Sequence, residues 1–107
     1  MIRSGQATDR AFKERKGTAM KILIEKVDRK EMQSQGVLEW PIWECQPSEF
    51  AWHYDQEETC YILEGEITVK TAAEEVSIGP GDYVIFPKGL DCTWTVGKPV
   101  RKHYNFK

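Results

Sequence analysis

The sequence predicts an all-β sandwich or barrel preceded by one short helix. Two observations carry that expectation. Segments rich in Val, Ile, Thr, Tyr, Phe and Trp recur near 41–46, 49–54, 59–64, 66–71, 75–78, 83–86, 91–96 and 100–106. Between them stand QPSE, EGE, TAAE, GPGD, PKG and GKP, all built from turn-forming residues. Short strands at such spacing belong to a sandwich or a barrel.

Residues 1–19 contribute little to that pattern. Apart from Phe12 their apolar residues are few and small, and no two-fold or helical period runs through them. They read as a leader, disordered or loosely docked, before a single domain over residues 20–107. KILIEKV, directly after Met20, reads as a first strand. Asp28 to Gly36 then opens on a good N-cap residue, places Glu31 three positions later and closes on glycine, which predicts a short helix or helical turn.

The composition narrows the function. The chain has 107 residues, 40% hydrophobic and 30% charged, as in ordinary soluble domains. No apolar run approaches the roughly 18 residues needed to span a bilayer, and the polar start lacks the apolar core of a secretory signal. Three cysteines, an odd number without close spacing, fit a reducing compartment, so a cytoplasmic protein is expected. Residues 1–19 carry five basic and two acidic side chains, and the remainder carries ten and fifteen. A basic face for nucleic acid is not expected on the folded part. Four Trp in a small domain point to an aromatic core, pocket or interface.

Strand parity sorts the chemistry-bearing residues, because side chains two apart share a face. Ala51 and His53 share one face, and Phe50, Trp52 and Tyr54 the other. If the Asp55–Glu57 turn shifts the phase, Trp52 faces inward and His53 outward. Glu58, Cys60 and Ile62 align, opposite Tyr61 and Leu63; Cys92, Trp94 and Val96 align in the next such strand. The outward stripe of Phe50, Trp52, Tyr54, Tyr61 and Leu63 needs cover, from the N-terminal strand or from a second subunit.

Two spacings resemble the motifs of the cupin family, G(x)5HxH(x)3–4E(x)6G and G(x)5PxG(x)2H(x)3N. Gly65 is preceded by six residues and Glu58, then by four residues and His53; Ala51 stands where the motif has its first histidine. Gly81, Pro87 and Gly89 follow the second motif, with Cys92 in its histidine position and Val96 in its asparagine position. The phrases WPIWE, ETCYILEGE, GDYVIFPKGLDCTW and VRKHYNF are similar to those of small cupins grouped with the cupin domain of ureidoglycine aminohydrolase. That manganese-dependent enzyme has two cupins and more histidine ligands, so the resemblance does not carry its activity over.

The resemblance implies a jelly-roll β-barrel with Ala51, His53, Glu58 and Cys92 close together inside. His53, Glu58 and Cys92 would then form the metal site, with a fourth position open for water, as at catalytic zinc. A thiolate ligand favours zinc or iron over manganese. The bland alternative is a degenerate site without metal, since free Cys is often a small buried hydrophobe. Glu58 is expected as acid or base, with His53 and Cys92 holding metal or acting as a thiolate–imidazole pair. Trp94, Cys60 and Ala51 are expected to line the substrate pocket, although Cys60 equally fits the core. His103 is expected to be a partly exposed strand histidine, and Cys45 is assigned no role. The expected function is an enzyme acting on a small polar metabolite by a hydrolase, isomerase or lyase step, with a non-catalytic binding or sensing module as the alternative. A homodimer is the expected assembly.

Overall fold

The computed structural model describes residues 20–107, and the leader expected over residues 1–19 lies outside the described residues. β1 (Leu23–Lys26) is the predicted first strand. Asp28 caps α1 (Arg29–Ser34) by accepting a 2.9 Å hydrogen bond from the Glu31 N–H. The return half of a capping box is absent, because the Glu31 carboxylate instead accepts from the Gln35 side chain. Gly36, with φ of 78°, turns the chain into a 3-10 turn at Val37–Glu39.

Six further strands follow: β2 (Ile42–Cys45), β3 (Ser48–His53), β4 (Glu58–Lys70), β5 (Glu75–Ile78), β6 (Asp82–Phe86) and β7 (Asp91–Phe106). Two expected breaks are not breaks. Segments 59–64 and 66–71 fuse into the 13-residue β4, and 91–96 and 100–106 fuse into the 16-residue β7. EGE and GKP bend these strands rather than ending them. Gly65 has φ of 115°, and the β4–β7 register shifts between Ile62 and Ile67. A bulge of this kind changes the phase of a strand while its ladder continues. Glu58, Cys60 and Ile62 are therefore buried before the bulge, and Ile67 and Val69 after it.

All pairings are antiparallel, in the order β1-β6-β4-β7-β2, with β3 on β7 and β5 on β4. This is the expected all-β jelly roll, with β4 and β7 as its spine. The sheet curls around one core containing Ile62, Val69, Val84, Phe86, Trp94 and Val100. A second cluster lies outside it, where Met32 and Val37 cover Tyr61 and Leu63 and the Tyr61 hydroxyl donates to the Val27 carbonyl at 2.9 Å. Helix α1 and the 3-10 turn, rather than the first strand, thus cover that part of the predicted outward stripe. His103 corrects the expectation of an exposed strand histidine. It is 5% exposed, and its Nδ1 lies 2.8 Å from the Trp40 carbonyl oxygen, a satisfied position under the 3-10 turn.

Candidate functional site

The pairing of β3 with β7 decides what faces the barrel. Phe50 stands opposite Trp94, and Trp52 opposite Cys92; Ala51 stands opposite Thr93, and His53 opposite Asp91. Residues directly opposite in an antiparallel pair share a face. Phe50, Trp52 and Tyr54 therefore turn inward with Cys92 and Trp94, and Ala51 and His53 turn outward. This corrects the face first expected for β3. Burying Tyr54 and part of Phe50 and Trp52 gains more than burying an alanine and a histidine. His53 is half exposed, with its Nδ1 2.7 Å from Asp91 and its Nε2 3.7 Å from Asp55.

His53, Glu58 and Cys92 are consequently not brought together. Among the described residues, no group of three or more His, Cys, Asp or Glu side chains is gathered closely enough to hold a metal ion. The chemistry of the donors agrees. Glu58 already faces an ammonium, which would repel a divalent cation, and burial holds the Cys92 thiol protonated. The residues present do not fit a metal at the centre of the barrel.

The structure instead assembles a group that parity on β3 could not show. Glu58 and Lys102, on β4 and β7, form an ion pair of 2.6 Å with side chains only 3% and 5% exposed. The Lys102 ammonium lies 4.6 Å from the centre of the Trp94 ring and 4.9 Å from that of Trp43. Desolvating two charges costs several kcal/mol each, and the close contact and ring faces offset part of that cost. Tyr54 adds its hydroxyl beside the Glu58 carboxylate and stacks on Phe86 at 5.0 Å. Burial first, then the Glu58 charge and hydrogen bond, hold the phenol protonated far above its ordinary range.

The pair opens onto a cavity of about 210 Å³ walled by Trp43, Phe50, Tyr54, Trp94 and Tyr104, with Trp52 and Phe106 among its lining. Trp52 is 48% exposed and Phe106 40%, so they form its rim. Of the residues expected to line a pocket, Trp94 does so. Cys60 joins the core, fully buried, and Ala51 lies on the outer surface. The Trp94 indole N–H is buried and makes no hydrogen bond of normal geometry to any described residue, although it lies near enough to Cys92 to favour the thiolate slightly. Lys102 was missed, yet it carried a signal: Val100, Lys102, Tyr104 and Phe106 alternate on one face of a strand, with a lysine set among apolar residues.

The thiols are poor nucleophiles here. Burial pushes Cys60 up to about 12, with Lys102 opposing and Glu58 reinforcing the shift. Burial pushes Cys92 up to about 11. An unfolded thiol titrates near 9.0, so the folded chain keeps protons that the unfolded chain releases. Their contribution to stability is complete below about pH 9 and is lost as pH rises through the folded values. Denaturant unfolding should show stability falling as pH rises from about 9 towards 11, with the fully buried Cys60 contributing most. Replacing both with Ala should flatten that slope; an unchanged slope would show that the thiols are not held protonated.

Comparison with known proteins agrees with this architecture. Residues 32–104 match the model of the EutQ-like cupin domain. A DUF861-family protein from Thermotoga maritima is 50% identical over 81% of this chain and 100% of its own, with a TM-score of 0.77. A Pseudomonas syringae protein of unknown function from the same family is 25% identical over 62% of this chain and 29% of its own, with a TM-score of 0.57. The Clostridium difficile EutQ protein, at 23% identity and a TM-score of 0.57, shares the fold; the match spans 61% of this chain and about half of that one, 52%. No curated protein matches the chain. With more than half of its length under the family model and a relative at 50% identity along most of it, the chain belongs to the EutQ-like cupin family.

Proposed function

We propose that the barrel cavity is a small-molecule site in which the Glu58–Lys102 pair holds the polar group of a metabolite and moves a proton on it. One observation carries this reading: the pair is almost fully buried, yet it opens onto an aromatic cavity. Apolar residues of similar volume would serve stability as well or better. Buried charges that face a cleft are more characteristic of functional sites. Lys102 supplies a fixed positive charge, which stabilises negative charge developing on a substrate oxygen. Glu58 accepts or returns the proton. Tyr54, kept protonated, serves as a donor to whatever oxygen stands beside it. These roles suit an isomerase, lyase or hydrolase step, and no step is routed through a metal.

A second reading, binding without turnover, is favoured by one detail: Glu58 is already engaged by Lys102 at 2.6 Å. A single series separates the two. Small polar metabolites are screened by thermal shift, and hits are then followed for conversion. For an enzyme, Glu58→Gln should keep a ligand's shift and lose about 10²–10⁴-fold in turnover, while the outward His53→Ala keeps both. For a binding module, shifts occur without conversion in any variant. A ligand shift left unchanged in the Glu58→Leu/Lys102→Met double variant would refute the role of the pair. Stoichiometric metal in the purified protein, lost in Glu58→Gln, would refute the metal-free assignment of roles.

A further inference from the structure

We infer that the cavity selects a neutral, planar amide group, a primary amide or a lactam, as the anchor of its ligand. This rests on the reading of the cavity as a small-molecule site. The Lys102 ammonium has three N–H donors, and among the described residues only Glu58 accepts from it through an oxygen or nitrogen. An ionised carboxylate has about four acceptor positions, and Glu58 uses one for Lys102, with the Tyr54 hydroxyl nearby. Both side chains are more than nine-tenths buried and both line the cavity. The floor therefore presents a spare donor beside a spare acceptor.

Net charge then excludes the simpler ligands. The pair is neutral as a unit. An anion drawn to Lys102 must also stand beside the Glu58 carboxylate, and a cation drawn to Glu58 must stand beside the ammonium. In both cases repulsion from one partner cancels attraction to the other, and the ligand's own desolvation is left uncompensated. A neutral group offering a carbonyl oxygen to Lys102 and an adjacent N–H to Glu58 satisfies both and repels neither. An amide has that order of acceptor and donor in one plane. The walls favour the same shape: Trp94 stacks on Phe50 at 6.1 Å with 17° between planes, and Trp43 meets Trp94 edge-on at 5.9 Å. A flat group can lie against such ring faces.

Four probes of one shape test the inference on the unmodified protein by titration calorimetry, with tryptophan emission as a second readout, since Trp43, Trp52 and Trp94 line the cavity. Benzamide offers acceptor and donor, acetophenone the acceptor alone, benzoate an anion and benzylammonium a cation. Benzamide should bind at least about tenfold tighter than each of the others, since a site built to pair both groups rejects analogues lacking one. In the Glu58→Leu/Lys102→Met double variant the preference for benzamide over acetophenone should vanish. Tighter binding of benzoate or benzylammonium, or equal binding of acetophenone, would overturn the amide assignment and leave the cavity reading standing. Failure of all four to bind would overturn both.

Discussion

Gly65→Ala should lower the melting temperature by about 15–25 °C, the largest effect expected from adding a single methyl group to this chain. Two independent strains meet at that position. The backbone has φ of 115°, where a side chain with a Cβ is strained. A Cβ there would also stand 2.8 Å from the Pro99 carbonyl oxygen, from Val100 Cα and from Val100 Cγ2. Two of those atoms are backbone of the paired strand β7 and cannot swing aside. Together the strain and the overpacking amount to about 3–5 kcal/mol. Gly36→Ala is the internal control, because it shares a positive φ of 78° but meets nothing within 4 Å. It should cost only about 1–2 kcal/mol. Equal melting temperatures for the two variants would show that β7 yields at Gly65 and that the close approach contributes nothing.

Lys102→Met should be nearly as damaging, at about 3–5 kcal/mol, because it leaves the buried Glu58 carboxylate without its counter-charge. The Tyr54 hydroxyl stands near Glu58, but one neutral hydroxyl does not replace an ammonium at 2.6 Å. Adding Glu58→Leu to that variant should restore stability to the original level or above, since an apolar pair fills the same space without desolvation. Urea unfolding of the three proteins reads both effects. A double variant no more stable than Lys102→Met alone would show that packing of the lysine stem, and not the isolated charge, causes the loss.

These two positions also show what the sequence could and could not reveal. The glycine skeleton was legible: Gly65, Gly81 and Gly89 all adopt positive φ, at 115°, 89° and 89°. The Asp28 cap and most strand positions were legible because each depends on a few neighbouring residues. The exception, two strands instead of four, arose because a glycine that bends a ladder and one that ends it look alike until the partner strand is known. The site suffered from the same blindness. Glu58 and Trp94 were assigned to the interior and lie there. The spacing of His53 to Glu58 matches a motif, whereas its face is set by the pairing of β3 with β7, in which it stands opposite Asp91, thirty-eight positions away. Lys102 contacts Glu58 across a separation of forty-four residues, and nothing local marks that meeting.

The pairing of β4 with β7 also dictates an order of assembly. At one end Lys70 pairs with Thr93, and at the other Glu58 pairs with Phe106. The first pairing closes a much shorter loop than the last, so it is entropically easier to form early. Zipping from the Lys70 end, beside β5, the β4–β7 ladder passes the bend at Gly65 and reaches the Glu58–Lys102 contact near its end. A ladder made of such distant pairings folds slowly, on the millisecond-to-second scale. On this order the β7 side of the cavity is expected to close late. Lys102→Met should therefore leave the refolding arm of a chevron almost unmoved and raise the unfolding arm; a slowed refolding arm would place the ion pair in the folding nucleus. The chain has its framework before it has its pocket, and changes at the pocket alter how long the native state persists more than how it is reached.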